Sequence, residues 1–128
     1  MFLNKKQKPS GTIIIIDDDP TSLQMLAQMI TKAGHIAILA DCGEKGLALA
    51  RENNPDVIII DVVMPGMDGF MLLKELKKDT RLQHIPVLVL SARQNVADTV
   101  RRLGAVHFLS KPVAPDQLIS HIEKLLQA

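Results

Sequence analysis

The chain has 128 residues, 47% of them hydrophobic, enough for one domain with its own core and no need of a disulfide or metal staple. Its formal net charge is +1 with both signs interspersed, so no general attraction to nucleic acid or a membrane surface is expected, and no Trp or Tyr is present to stack on single-stranded bases. The single cysteine, Cys42, excludes an internal disulfide framework or a cysteine-rich zinc site and reads as a small buried or half-buried thiol suited to a reducing cytoplasm, while no apolar run approaches the ~18 residues of a membrane span.

Residues 1–11 are polar, carry Lys5, Lys6 and Lys8, lack the apolar centre of a secretory signal and close with Pro9, Ser10 and Gly11. They read as a flexible lead or linker without a site, ahead of one domain over 12–128. Thr12–Ile16 is an apolar first strand that delivers Asp17, Asp18 and Asp19. Pro20 is favoured at the first helical position, which makes Asp19 the N-cap. Leu23, Leu26, Ala27 and Ile30 then recur at helical spacing up to a stop at Gly34. His35–Ala40 reads as a second strand with His35 a turn residue, and Glu44–Asn53 as a short helix with Leu47 and Ala50 inward, its start weakened by Gly43 and Gly46.

Pro55 and Asp56 precede the β-branched block Val57–Ile60, which runs straight into Asp61 and then a turn through Met64, Pro65, Gly66, Met67, Asp68 and Gly69. Asp68 and Gly69 turn and cap a third helix, Phe70–Lys78, with Leu72, Leu73 and Leu76 inward and Lys74, Lys77 and Lys78 on its solvated face. Ile85–Leu90 is a fourth strand ending on Ser91. A weaker helix, Asn95–Leu103, closes at Gly104, and a fifth strand, Ala105–Leu109, leads to Ser110, Lys111 and Pro112. The last helix, Pro115–Leu126, places Leu118, Ile119, Ile122, Leu125 and Leu126 on one side.

Alternation of strand and helix specifies an α/β fold: a doubly wound, five-stranded parallel (βα)5 sheet with helices on both faces. Strands one and three, apolar throughout, are the expected central neighbours, giving the flavodoxin-like order 2-1-3-4-5 with its switch point between them. All carboxyl ends then share one edge, where Asp17, Asp18, Asp61, Ser91 and Lys111 converge. Singly, each has a plain reading: solvated acids at a helix entry, a turn former, a surface lysine. Three carboxylates within a few ångströms would repel, a like-charged pair ~4 Å apart costing about 4 kcal/mol at an effective dielectric near 20. An oxygen-only donor set selects a hard cation, Mg²⁺ rather than a calcium cage. With Lys111 and a hydroxyl on Ser91, the edge reads as a phosphoryl-transfer site.

Ile14–Pro20, Pro55–Asp61, Met64–Gly69, Val89–Ala92 and Phe108–Pro112, in this order, resemble the receiver domain of two-component response regulators over about residues 12–126. The resemblance implies that Asp61 accepts a phosphoryl group from a phosphohistidine on a sensor histidine kinase or histidine phosphotransfer protein. It implies that Asp18 and Asp61 ligate Mg²⁺ directly, Asp17 through water, and the Val63 backbone carbonyl completes the set. Ser91 and Lys111 would grip the phosphoryl oxygens. Phe108, a core residue on composition alone, occupies the family's switching aromatic position. The implied output is a face of helix four, strand five and helix five that docks a downstream effector or a second copy, in the cytoplasm, without nucleic acid or membrane insertion. Val113 stands where the family often has an aromatic, and Val63 and Arg93 lie where it varies. A rival, a Mg²⁺-dependent phosphohydrolase with an aspartyl nucleophile similar to the haloacid dehalogenase family, needs a second Asp two residues after the nucleophile; Val63 occupies that place and cannot move a proton. A flavodoxin-like nucleotide binder would need a Gly, Ser or Thr-rich first loop, where this chain has Asp17–Pro20.

Overall fold

The computed structural model of the chain describes residues 10–63, 66–93 and 95–127. Most of the expected N-terminal lead, and Met64 and Pro65 of the turn motif, lie outside the described residues. Five strands, β1 (Thr12–Ile16), β2 (Ile36–Ala40), β3 (Val57–Asp61), β4 (Val87–Ser91) and β5 (His107–Ser110), alternate with α1 (Pro20–Lys32), α2 (Gly43–Asn53), α3 (Gly69–Lys78), α4 (Ala97–Arg102) and α5 (Pro115–Gln127). All pairings are parallel and the order is β2-β1-β3-β4-β5, as the apolar runs predict.

Strand side chains alternate between faces, and because β1, β3 and β4 are buried on both, each run feeds two cores. Ile14, Ile16, Ile58, Ile60, Val87 and Val89 pack with Leu47 and Ala50 of α2, Leu72, Leu73 and Leu76 of α3 and Val100 of α4. Ile13, Ile15, Val57, Ile59, Leu88 and Leu90 pack with Leu26 and Ile30 of α1 and Leu118 and Ile122 of α5. Truncating one of these isoleucines to Ala would cost about 2–5 kcal/mol. The register pairs Ile16 with Ile60, Asp61 with Leu90 and Ser91 with Ser110, so four strands end level and hand their next residues to one edge.

Several local expectations shift. α2 begins at Gly43 because its glycines serve packing: a Cβ on Gly46 would lie 2.3 Å from the Ile16 side chain. β4 begins after Pro86, which has no N–H to donate to a ladder. β5 starts later than expected, and α4 is six residues long without a side-chain cap. His35 is more than a turn residue: it is 4% exposed and its Nδ1 accepts the Gly11 N–H at 3.1 Å, tying the start of β1 to that of β2. Lys77 does not belong to a solvated face. Its ammonium donates to the Gln83 and Ile85 carbonyls at 3.1 and 3.3 Å, and burial lowers its pKa.

Candidate functional site

The end of β1 supplies two of the acids. Asp17 continues the strand by donating its N–H to the Ala40 carbonyl, and it is 1% exposed, whereas Asp18 faces solvent. Asp19 turns away to cap α1, its Oδ2 accepting from the Ser22 amide at 3.4 Å, with Pro20 in the first turn. Asp61 closes β3 half-buried. One oxygen from each of Asp17, Asp18 and Asp61 lies within 4.8 Å of the others.

The loop after β3 keeps Asp61 in place. Its Oδ1 accepts the Val63 N–H at 3.0 Å, and the Gly69 N–H donates to the Val62 carbonyl at 3.1 Å. A Cβ on Gly69 would lie 2.4 Å from Val62 Cα, so only glycine lets α3 start so close to the strand end. Asp68 caps α3 through the Met71 amide, in keeping with the structural role read for it.

Lys111 reaches the acids from the end of β5. Its Nζ donates to Asp17 Oδ2 at 2.6 Å, to Asp61 Oδ2 at 3.0 Å and to Ser22 Oγ at 3.0 Å. Burial pulls its pKa down, but the hydrogen bonds and charges of Asp17 and Asp61 outweigh that and hold it above its ordinary value. The ammonium is therefore a countercharge held by three acceptors, and it answers part of the repulsion expected among the three carboxylates.

Ser91 ends β4 fully buried, and its Oγ accepts from the Arg93 amide at 3.1 Å rather than from the lysine. Its backbone carbonyl takes the Lys111 N–H at 3.0 Å, so the two residues are joined at the strand ends. Phe108 is half-buried against the cluster that includes Val100. Cys42 is a free, half-buried thiol at the start of α2. Ser22 is the site residue that sequence reasoning misses, because a serine in a first helical turn is ordinary and nothing nearby in the chain points to Lys111.

The donors fit a hard divalent cation. They are carboxylate oxygens only, close enough to share one ion, and the single ammonium shared by two of the three leaves net negative charge for a cation to neutralise. A nucleophilic carboxylate, a cation site, an ammonium and a hydroxyl at one sheet edge can stabilise a transferring phosphoryl group. Among the described residues no helix is long and apolar enough to cross a membrane.

The family model described as response regulator receiver domain matches residues 13–123. Protein PilH of Pseudomonas aeruginosa is 40% identical over 116 residues, covering 89% of this chain and 96% of that protein. Response regulator PleD of Caulobacter vibrioides is 35% identical over 118 residues, covering 91% of this chain but only 26% of PleD. Among solved structures, chemotaxis protein CheY4 of Vibrio cholerae superposes with a TM-score of 0.84 at 28% identity, covering 91% of this chain and 99% of that one. The signal receiver domain of a signal transduction histidine kinase from Syntrophus aciditrophicus gives 0.83 at 34% identity, covering 91% of this chain and 90% of that one.

Proposed function

Because the chain belongs to the response regulator receiver family, a phosphoacceptor module of two-component signalling, we propose that Asp61 is its phosphoacceptor and that residues 12–128 form the receiver domain. The observation that carries this reading is the placement of Asp61 at the end of β3 within hydrogen-bond distance of Lys111 and beside Asp17 and Asp18. An oxygen of Asp61 attacks the phosphorus of a phosphohistidine on a sensor kinase or histidine phosphotransfer protein. The P–N bond breaks, its electron pair returns to the imidazole, and an aspartyl phosphate forms. Lys111, already oriented by two carboxylates and Ser22, meets the incoming phosphoryl oxygens, and the Ser91 hydroxyl donates its proton to another of them. Asp17, Asp18, Asp61 and the Val63 carbonyl are the groups that would hold Mg²⁺, which when bound neutralises charge on the transferring group.

In this reading the chain catalyses its own phosphorylation and dephosphorylation, turns over no external metabolite and works in the cytoplasm beside its kinase. The face of α4, β5 and α5 around Phe108 docks an effector or a second copy after phosphorylation, as a two-state equilibrium biased by one new charge. Amide exchange with and without beryllofluoride tests that step, with changes expected across residues 95–111. The core reading is tested by incubation with acetyl phosphate and Mg²⁺ followed by intact mass. Wild type is expected to gain one phosphoryl group and Asp61→Asn none; equal labelling of the two sinks the assignment.

A further inference from the structure

Lys111 is held by three acceptors of unequal kind. Two are the carboxylates of Asp17 and Asp61, and the third is the hydroxyl of Ser22, 3.0 Å from Nζ. An ammonium has three protons, so the hydroxyl completes its set. The two carboxylates are also the groups that change partners when the site works: Asp61 acquires the phosphoryl group, and Asp17 belongs to the cation cluster. Each has its other oxygen committed to a backbone amide, Asp17 Oδ1 to Asp19 and Asp61 Oδ1 to Val63, both at 3.0 Å. Phosphorylation takes the negative charge from Asp61, and a cation shared by Asp17 draws on the charge of that carboxylate, so both hold Lys111 less strongly once the site is loaded.

Ser22 is different in charge and in mounting. It is neutral, so an arriving cation or phosphoryl group does not compete for it strongly, and it rides on the capped first turn of α1. That turn carries the positive end of the helix dipole, which on its own would push an ammonium away. The Ser22 hydroxyl is the acceptor with which the turn receives it. Among the described residues no other donor reaches the Ser22 hydroxyl, so its lone pairs are free to serve Lys111.

We propose that Ser22 is a positioning residue for phosphoryl transfer: its hydroxyl anchors the Lys111 ammonium while Asp17 and Asp61 exchange their partners. This rests on the assignment of Asp61 as phosphoacceptor and adds a residue of α1 to its machinery. Loss of one hydrogen bond to a charged donor should slow transfer about tenfold.

The test measures phosphorylation by acetyl phosphate at saturating Mg²⁺, over a range of donor concentrations, in wild type, Ser22→Ala, Ser22→Thr, Lys111→Ala and the Ser22→Ala/Lys111→Ala double variant. Ser22→Ala is expected to lower the maximal rate with little change in the half-saturating donor concentration, Ser22→Thr to restore it, and the second substitution to add nothing in the Lys111→Ala background. Nitrogen-15 NMR of the metal-free protein gives a readout independent of turnover. The Lys111 ammonium signal should be retained in wild type and Ser22→Thr and broadened away in Ser22→Ala. A labelled wild type with an unaffected Ser22→Ala, or an equal loss in the Lys111→Ala background, overturns the role of Ser22 alone. An unlabelled wild type overturns the phosphoacceptor assignment and this role with it.

Discussion

Lys111 Nζ lies 2.6 Å from Asp17 Oδ2, closer than to either of its other two partners. The contact spans the sheet edge from the end of β5 to the end of β1, and Asp17 is almost wholly buried. A buried carboxylate stripped of its cation is costly, so the lysine has a structural role before any phosphoryl group arrives. Lys111→Met is expected to lower the stability of the metal-free protein by about 2 kcal/mol. It should also enlarge the rise in Tm on adding Mg²⁺, because the ion would then relieve repulsion that the lysine relieves in wild type.

Asp18 predicts the opposite pattern. It is exposed and has no hydrogen bond to Lys111, so it contributes repulsion without a countercharge. Asp18→Ala should leave or raise the metal-free Tm and remove most of the Mg²⁺ response. Melts with and without Mg²⁺ decide this, and an unchanged response in Asp18→Ala would falsify its assignment as a ligand.

Gly69 gives a steric prediction. The Cβ of an alanine there would lie 2.4 Å from Val62 Cα and 2.9 Å from the Asp61 carbonyl oxygen, both backbone atoms. The loop or the first turn of α3 must move. Gly69→Ala is expected to destabilise by about 2–3 kcal/mol and to slow phosphorylation in the fraction that remains folded, since the displaced atoms belong to the proposed acceptor, Asp61, and to its neighbour Val62. Urea titration with acetyl phosphate labelling checks both; wild-type behaviour in each would show that the loop adjusts freely.

Acid should weaken the fold through α5. The rings of His107 and His121 stand 4.7 Å apart, and burial, then the charge of His107, then that of Lys124, holds the His121 pKa below its ordinary 6.5. Below that value the unfolded chain takes up a proton that the folded protein resists, so the unfolded state binds more protons and stability declines as pH falls from 6.5 toward the lower folded value. His121→Phe keeps a ring in place and removes the titration. Between about pH 7.5 and about pH 5.5, its urea midpoint should fall less than that of wild type; equal falls would assign the acid sensitivity elsewhere.

The sequence makes the strands and their order legible because β1, β3 and β4 are apolar at successive positions, a pattern that only a sheet buried on both faces requires. Asp19 and Asp68 mark helix starts by local chemistry, each capping an amide three residues on. The cluster of Asp17, Asp18, Asp61 and Lys111 follows from topology once the strand ends are level. What stays hidden depends on partners far along the chain. Ser22 serves a lysine 89 positions away, His35 a backbone amide 24 positions away, and Lys77 two carbonyls of the loop before β4. None of these contacts leaves a periodicity or a motif, since a serine, a histidine or a lysine at such positions is equally at home in solvent.

The lifetime of an aspartyl phosphate is set by water reaching the phosphorus in line, opposite the Asp61 oxygen, and being oriented there. Two side chains flank that approach by analogy with the family. Val63 is tethered through its amide to Asp61 Oδ1 at 3.0 Å, and the residue is 52% exposed. Arg93 is fixed through its amide to Ser91 Oγ at 3.1 Å and is itself exposed. Both backbones are therefore anchored to residues of the candidate site, so the side chains project from points held by it. Val63 offers water no hydrogen bond, and Arg93, a donor only, can pair with a phosphoryl oxygen but cannot accept a proton from an attacking water. Self-dephosphorylation should accordingly be slow relative to receivers with an acid or amide at those positions. Val63→Asn is expected to speed the decay by roughly tenfold, about 1.4 kcal/mol of barrier, and Arg93→Glu to speed it by opening the approach and placing an acceptor there. The measurement is loss of label after donor removal in wild type and the two variants. If neither decays faster than wild type, access at these positions does not govern the lifetime.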